Sequence, residues 1–215
     1  MFLVAIEALA TKNKLIIAGE ISANAKINFE EIARKRIRDL GYTNPKFNFT
    51  DKCDIETYIQ KQSNEIAEGV DKKGAGDQGM MFGYACRETE SLMPLPIIIA
   101  HTLAEKIDQA RQNELDYLRP DGKTQVTIEY KNGKPSRVLQ TVIAVPHDEK
   151  VKLAKVKKDI FETVVTPALK EFGFKINLKD LILNGTGIWH IGGPASDTGL
   201  TGHIVTGKQI GRAHV

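Results

Sequence analysis

The chain has 215 residues, of which 41% are hydrophobic and 27% charged, with a formal net charge of +3. This suits a globular protein with one large core or two small ones, and the charge is too balanced for a nucleic-acid-binding surface. Two cysteines, Cys53 and Cys86, with no CxxC and no His/Cys cluster, argue against a disulfide framework or a zinc site and for a reducing cytoplasm; no apolar run approaches the roughly 20 residues of a membrane helix.

Met1 to Glu7 is apolar without a basic leader and reads as a strand, not a signal peptide. Phe2 to Ala10 and Leu15 to Ile21 predict two strands around a turn at Thr11-Lys-Asn-Lys14. Asn28 stands as an N-cap with Glu31 three residues on, and Ile32, Ile37 and Leu40 follow helical spacing up to Gly41. Cys53 to Gln60 alternates as a half-buried strand and completes a β-β-α-β unit.

Gly69 to Gly79 is a polar, glycine-bearing break and the expected boundary between units. A helix is predicted from Pro94 and Pro96 to about Asn113. Strands follow at Val126 to Tyr130 and Val138 to Val145, joined by the hairpin signal Asn132-Gly133. His147-Asp148 reads as the opening of an amphipathic helix to about Phe172, whose wet face carries the Lys150 to Lys158 run. Asn177 to Leu183 leads into a Gly-rich segment around Trp189. The predicted class is α+β, with repeated β-α-β-β units and helices packed on one face of mixed or antiparallel sheets.

Several segments carry candidate chemistry. Gly74-Ala-Gly-Asp-Gln-Gly79 fits GxGxxG but lacks the preceding strand and following helix of a dinucleotide site; it reads better as a ligand loop presenting Asp77 and Gln78. Gly202-His-Ile-Val-Thr-Gly-Lys208 nearly matches a P-loop, yet Gln209 replaces the magnesium-binding hydroxyl. In Arg119-Pro-Asp-Gly-Lys-Thr-Gln125, Asp121 and Lys123 share a side of an extended chain and could hold a sugar hydroxyl and a phosphate; taken alone, the motif reads rather as a surface ion pair. Trp189, the sole tryptophan, precedes the glycine loop Gly192 to Gly199 and could stack on a purine or be core. The five histidines, at 101, 147, 190, 203 and 214, lack metal-ligand spacing and receive no catalytic role.

Taken together and in order, these segments resemble one family. Gly74 to Cys86 and Gly193 to Gly202 resemble the two signature segments of methionine adenosyltransferases (S-adenosylmethionine synthetases). Gly19-Glu-Ile-Ser22, Lys61-Gln-Ser63, Gly69-Val-Asp71, Leu118 to Thr127 and Thr186 to Pro194 fall in the family's order, so the likeness covers about residues 3 to 202. The resemblance implies formation of S-adenosylmethionine from ATP and L-methionine, releasing phosphate and pyrophosphate. It implies a homodimer or tetramer, and the metal ions Mg2+ and K+. Carried over by position, Glu20 and Gln62 resemble a methionine-binding pair. Asp77 stands at the methionine and adenosine end, and Asp197 at methionine. Asp121 and Lys123 match contacts to ribose and phosphates, Lys123 as the catalytic cation. Trp189 stands where an aromatic meets adenine, and Glu7 resembles a potassium ligand. The stretch from Ser63 to Gly76 corresponds to a loop that gates the site.

The family's His-Pro-Asp-Lys motif, with a magnesium-binding Asp, has no counterpart here, and His203 stands where a phosphate-binding Arg is expected. The resemblance implies that the Mg2+ ligands lie outside this sequence. The expected division is 1–70 as the remainder of an N-terminal domain, 71–191 as a central domain, 192–202 as the start of a C-terminal domain, and 203–215 as a non-native tail resembling a translated adapter. On this reading the chain is a fragment, inactive alone. The alternative is a non-catalytic paralogue that binds nucleotide or pairs with a full-length subunit.

Overall fold

The computed structural model describes residues 3–61, 80 and 82–201. These fall into two compact units: one reaches to Gly83 and takes back the segment from Pro194 onward, and the other is Tyr84–Gly193.

In the first unit, β1 (Leu3–Thr11) and β2 (Lys14–Ser22) form an antiparallel hairpin. Helix α1 (Phe29–Asp39) crosses over to β3 (Asp54–Gln60), which lies parallel to β2. The predicted cap is present: the Asn28 side chain accepts from the Glu31 backbone N–H at 3.1 Å, meeting one of the four donors a helix start leaves open. Acidic Glu30 and Glu31 at the first turn and basic Arg36 and Arg38 at the last complement the helix dipole. Ile37 packs with Leu15, Ile17, Tyr42, Phe49 and Cys53 to form this unit's core. Arg34 fixes the far side, donating from Nη1 to the carbonyls of Asp51 and Cys53 and pairing with Glu30.

The second unit repeats this order. Helix α2 (Leu95–Asn113) precedes a hairpin of β4 (Lys123–Lys131) and β5 (Lys134–Ala144). Asn132 and Gly133 both take positive φ, 52° and 73°, as the tight hairpin turn requires. A helical crossover returns to β6 (Leu181–Leu183), parallel to β5. Both units are therefore a hairpin, a helical crossover and a parallel third strand, the α+β plan expected. α2 has no cap from its own N-cap residue; instead the Glu88 carboxylate accepts from the Leu95 N–H at 2.9 Å and from the Tyr130 hydroxyl at 2.7 Å.

The crossover differs from the expected single helix. It begins as α3 at Leu153 and runs to Ile160, widens into a π turn at Phe161–Val165, and continues as α4 at Thr166–Glu171. Pro167 accounts for the widening, since it lacks an N–H and its ring clashes with the carbonyl four residues back. His147 and Asp148 stay outside the helix: their backbone N–H groups bond to the Trp189 and Tyr117 carbonyls, and the chain is extended at Lys152, φ −65° and ψ 137°, just before the first helical turn. The core joins Ile99, Leu103 and Ile107 of α2 to Val126, Ile143 and Leu181 of the sheet and to Val156, Ile160 and Val164 of the crossover, all nearly inaccessible.

Segment 194–201 runs along β1. The Lys12 N–H donates to the Pro194 carbonyl at 2.6 Å, Thr198 donates to the Thr11 hydroxyl at 2.8 Å, and β7 (Gly199–Leu200) pairs with Leu9 and Ala10. The first sheet thus reads β3-β2-β1-β7. Gly193 groups with the second unit and Pro194 onward with the first.

Candidate functional site

At one end of the second sheet, β4 begins where β5 and β6 finish. Lys123, the first residue of β4, pairs with Ala144, the last of β5. Beyond β6, Asn184 leaves the strand in a left-handed conformation, φ 45°, and the chain turns through Gly187 into Trp189. Three connections therefore meet: 118–122 into β4, 145–148 out of β5, and 184–193 out of β6.

Hydrogen bonds fasten these connections together. Arg119 is buried; its backbone N–H donates to the Pro146 carbonyl at 2.8 Å and its Nη1 donates to the His190 carbonyl at 2.5 Å. The His147 N–H donates to the Trp189 carbonyl at 3.1 Å, and the His147 carbonyl meets His190 Nδ1 at 2.9 Å. The two imidazoles stand edge to face with centroids 5.3 Å apart. Burial holds the His147 pKa below the ordinary histidine value, with His190 and Arg119 acting in the same direction.

Two expected site residues converge on the Trp189 loop. Asp121 Oδ2 accepts from the Gly193 N–H at 2.8 Å, and Lys123 Nζ lies over the Trp189 ring, 4.6 Å from its centroid. Asp121 takes φ 83°, uncommon for a residue with a Cβ; such strain tends to be retained where the side chain's position matters. The indole Nε1–H donates to the Ile191 carbonyl at 2.7 Å, which fixes the ring. Gly192 is buried at the centre: a Cβ there would fall 2.9 Å from Asp121 Oδ2 and from Trp189 Cζ2, and 3.0 Å from Pro146. A cation, a carboxylate and an aromatic ring thus face one loop, a set able to take a phosphate, a sugar hydroxyl and a base.

In the first unit, Glu20 sits on β2 opposite Gln60 of β3, whose amide donates to Glu20 Oε1 at 3.1 Å. Glu7 on β1 accepts a hydrogen bond from the Thr201 hydroxyl, whose oxygen also accepts from the Ala8 N–H at 2.6 Å. Asp197 is exposed on the segment along β1. Gln62, Asp77, the glycine loop at 69–79 and His203 lie outside the described residues.

The donors present bear on the metal ions that the resemblance implies. Among the described residues no three His, Cys, Asp or Glu side chains gather as a metal-binding group, and Glu7 contributes a single carboxylate already engaged by Thr201. Among the described residues no carboxylate, imidazole or thiolate cluster for a magnesium ion is assembled.

Sequence reasoning did not assign Arg119, His147, His190 or Asn184. A lone arginine before a proline, at the mouth of a predicted strand, was the available signal for the first. The pairing of the two histidines, 43 residues apart, had no local signal.

Two family models match the chain: "S-adenosylmethionine synthetase, N-terminal domain" over residues 2–64, and "S-adenosylmethionine synthetase, central domain" over residues 72–189. The chain belongs to the S-adenosylmethionine synthetase family. Within that family it is 45% identical to the S-adenosylmethionine synthase of Maridesulfovibrio salexigens over 215 residues, covering 97% of this chain and 55% of that protein. It is 44% identical to the S-adenosylmethionine synthase of Desulforudis audaxviator over 224 residues, covering 97% of this chain and 56% of the relative. Against the S-adenosylmethionine synthase of Salinibacter ruber the identity is 44% over 212 residues, 94% of this chain and 54% of the relative. The chain spans about half the length of the curated relatives it matches. The two matched stretches contain β1 to β3 and β4 to β6 respectively, and the Lys123, Asp121 and Trp189 cluster lies at the start of β4 in the second.

Proposed function

We propose that this chain is part of an enzyme making S-adenosylmethionine from ATP and L-methionine, with release of phosphate and pyrophosphate, and that it contributes the adenosine contact and one phosphate contact. The observation that carries the reading is the meeting of Lys123, Asp121 and Trp189 at one loop. In this reading Trp189 stacks on adenine, Asp121 meets ribose and Lys123 meets the phosphates. Glu20 faces the methionine ammonium, with Asp197, Gln62 and Asp77 completing the methionine end.

The chemistry asks little acid–base work of the protein. A thioether sulfur is nucleophilic without losing a proton, so the new S–C5′ bond forms as the C5′–O bond breaks and its electron pair leaves with the triphosphate. No general base is required. The protein must align sulfur, carbon and leaving oxygen, and neutralise a leaving group carrying several negative charges. Lys123 serves the second task. Glu7 as a potassium ligand and magnesium at the phosphates belong to this reading, and no step is routed through either ion. A homodimer or tetramer, cytoplasmic, completes it. Tyr58 on β3, left exposed on the sheet face opposite the Leu15 and Ile17 core, is compatible with a second copy covering it.

Calorimetric titration of the chain with ATP tests the reading. ATP is expected to bind, and Lys123→Ala to weaken binding about tenfold; failure of ATP to bind overturns it. Incubation of the chain alone with ATP, methionine, magnesium and potassium is expected to yield no measurable S-adenosylmethionine. Loss of even one preorganised charge-stabilising group costs on the order of a hundredfold in rate, and of this chain's residues only Lys123 is assigned to the phosphates. Clear product formation, absent from Lys123→Ala, would show that other groups of this chain stabilise the leaving triphosphate.

A further inference from the structure

The geometry points to Lys123 as a specificity-determining residue whose ammonium, resting on the Trp189 ring, competes with a purine for that ring and yields it more readily to a ligand that also carries phosphates. The inference rests on the nucleotide reading of this site. Lys123 Nζ lies 4.6 Å from the indole centroid. A stacked purine needs a layer of about 3.5 Å above the ring, the ordinary separation of carbon atoms in contact. An ammonium over the ring at that distance from its centroid lies within the volume a stacked base would fill, so base and cation cannot occupy it together.

The indole cannot turn away to accommodate both. Its Nε1–H is held by the Ile191 carbonyl at 2.7 Å, and its Cζ2 edge closes on Gly192. The two backbone ties of the loop, from His147 to the Trp189 carbonyl and from Arg119 to the His190 carbonyl, hold it in place. The lysine is the movable partner, a half-buried side chain on a flexible stem at the very start of β4. A ligand reaching both Trp189 and Lys123 approaches from the covered face, because its phosphates must end near the ammonium that lies there.

Displacing the cation costs the ligand a cation–π contact. Adenosine bears that cost with nothing in return. ATP recovers it, because the ammonium moves onto the phosphates as the base moves in. The site therefore discriminates against unphosphorylated purine nucleoside without any contact that repels it. Phosphate and base are also coupled: whichever draws Lys123 off the ring eases entry of the other, and the coupling is reciprocal.

The test uses the 215-residue chain, adenosine, ATP and inorganic tripolyphosphate, read by calorimetry and by emission of the sole tryptophan. Lys123→Gln is expected to bind adenosine about two- to fivefold more tightly than the unaltered chain, the worth of an exposed cation–π contact, and ATP about tenfold more weakly. In the unaltered chain, saturating tripolyphosphate is expected to tighten adenosine by a similar two- to fivefold, a measurement that does not depend on the variant folding. If ATP binds but adenosine affinity is unchanged both by Lys123→Gln and by tripolyphosphate, the purine does not use the covered face and the inference is overturned while the nucleotide reading stands. If neither adenosine nor ATP binds, both fall.

Discussion

The buried side chain of Asn184 pairs with the backbone of Val145 as a strand would: its Oδ1 accepts from the Val145 N–H at 2.8 Å and its Nδ2 donates to the Val145 carbonyl at 3.0 Å. The β5–β6 ladder ends at Ile143 and Leu183, so this amide carries the pairing one step beyond the backbone. It pins the exits of both strands, the one leading to His147 and the other to Trp189.

Asn184→Ala is therefore expected to lower unfolding free energy by about 2–4 kcal/mol. It strands a buried N–H and a buried carbonyl, each costing about 1–3 kcal/mol in part offset by relaxation, and leaves alanine in a left-handed conformation that asparagine tolerates better. Urea denaturation followed by Trp189 emission measures it. A loss under about 1 kcal/mol would mean that water replaces the amide and that the pairing is dispensable.

Gly192→Ala should disturb the site more than the fold. Its Cβ would lie 2.9 Å from both the Asp121 carboxylate and the Trp189 ring, so one must move. Overpacking of this kind costs about 1–3 kcal/mol. Movement of the half-buried indole should shift its emission to the red and weaken ATP binding in step. Unchanged emission and unchanged ATP affinity would show that the loop relaxes without touching the indole.

The elements legible in the sequence were those with local causes. The Asn28 cap, the Asn132-Gly133 turn and the β-β-α-β order each depend on neighbours within a few residues. The second unit's parallel pairing of β5 with β6 and the return of Gly199–Leu200 to β1 depend on partners far along the chain, and no local propensity encodes them. The start of the crossover departs from the expected helix for a related reason. His147 and Asp148 resemble a helix opening, yet both are engaged by Trp189 and Tyr117, and the helix waits until Leu153. At the site, alternation along 119–125 put Asp121 and Lys123 on one side of an extended chain, and both do reach the 189–193 loop. Arg119 and the two histidines were invisible as a group, because their contacts are to backbone carbonyls that any sequence could supply.

Gly19→Ala should be the most damaging single change in the first unit. Gly19 takes φ 143°, and an added Cβ would lie 2.0 Å from the Ala5 carbonyl oxygen, inside the β1–β2 ladder where Gly19 pairs with Ile6. Neither backbone can give way without breaking the hairpin beside Glu20. A destabilisation of at least about 3 kcal/mol is expected, at the severe end for a single substitution. Exchange protection of the β1 and β2 amides, compared with those of β4 and β5, would locate it. Uniform protection across both sheets, close to that of the unaltered chain, would contradict the argument.

Acidification should loosen the second unit through His147. The side chain is 1% exposed, and its Nδ1 has no hydrogen-bond partner among the described residues. Burial first, then the neighbouring His190 and Arg119, lowers its pKa from the ordinary 6.5; a backbone hydrogen bond at Val145 and the Asp148 carboxylate oppose the shift without cancelling it. The unfolded chain therefore takes up this proton at a higher pH than the folded one. The associated stabilisation is complete above pH 6.5 and is lost progressively as pH falls below that value toward the folded pKa. The measurement is the urea midpoint between pH 7.5 and pH 5, for the unaltered chain and for His147→Gln, with the imidazole followed directly by NMR in the unaltered chain. The unaltered chain should lose stability more steeply than the variant, and the imidazole signal should titrate below 6.5. Equal slopes together with an ordinary titration would mean that the buried ring accepts its proton without strain, and that the contact with His190 is packing alone.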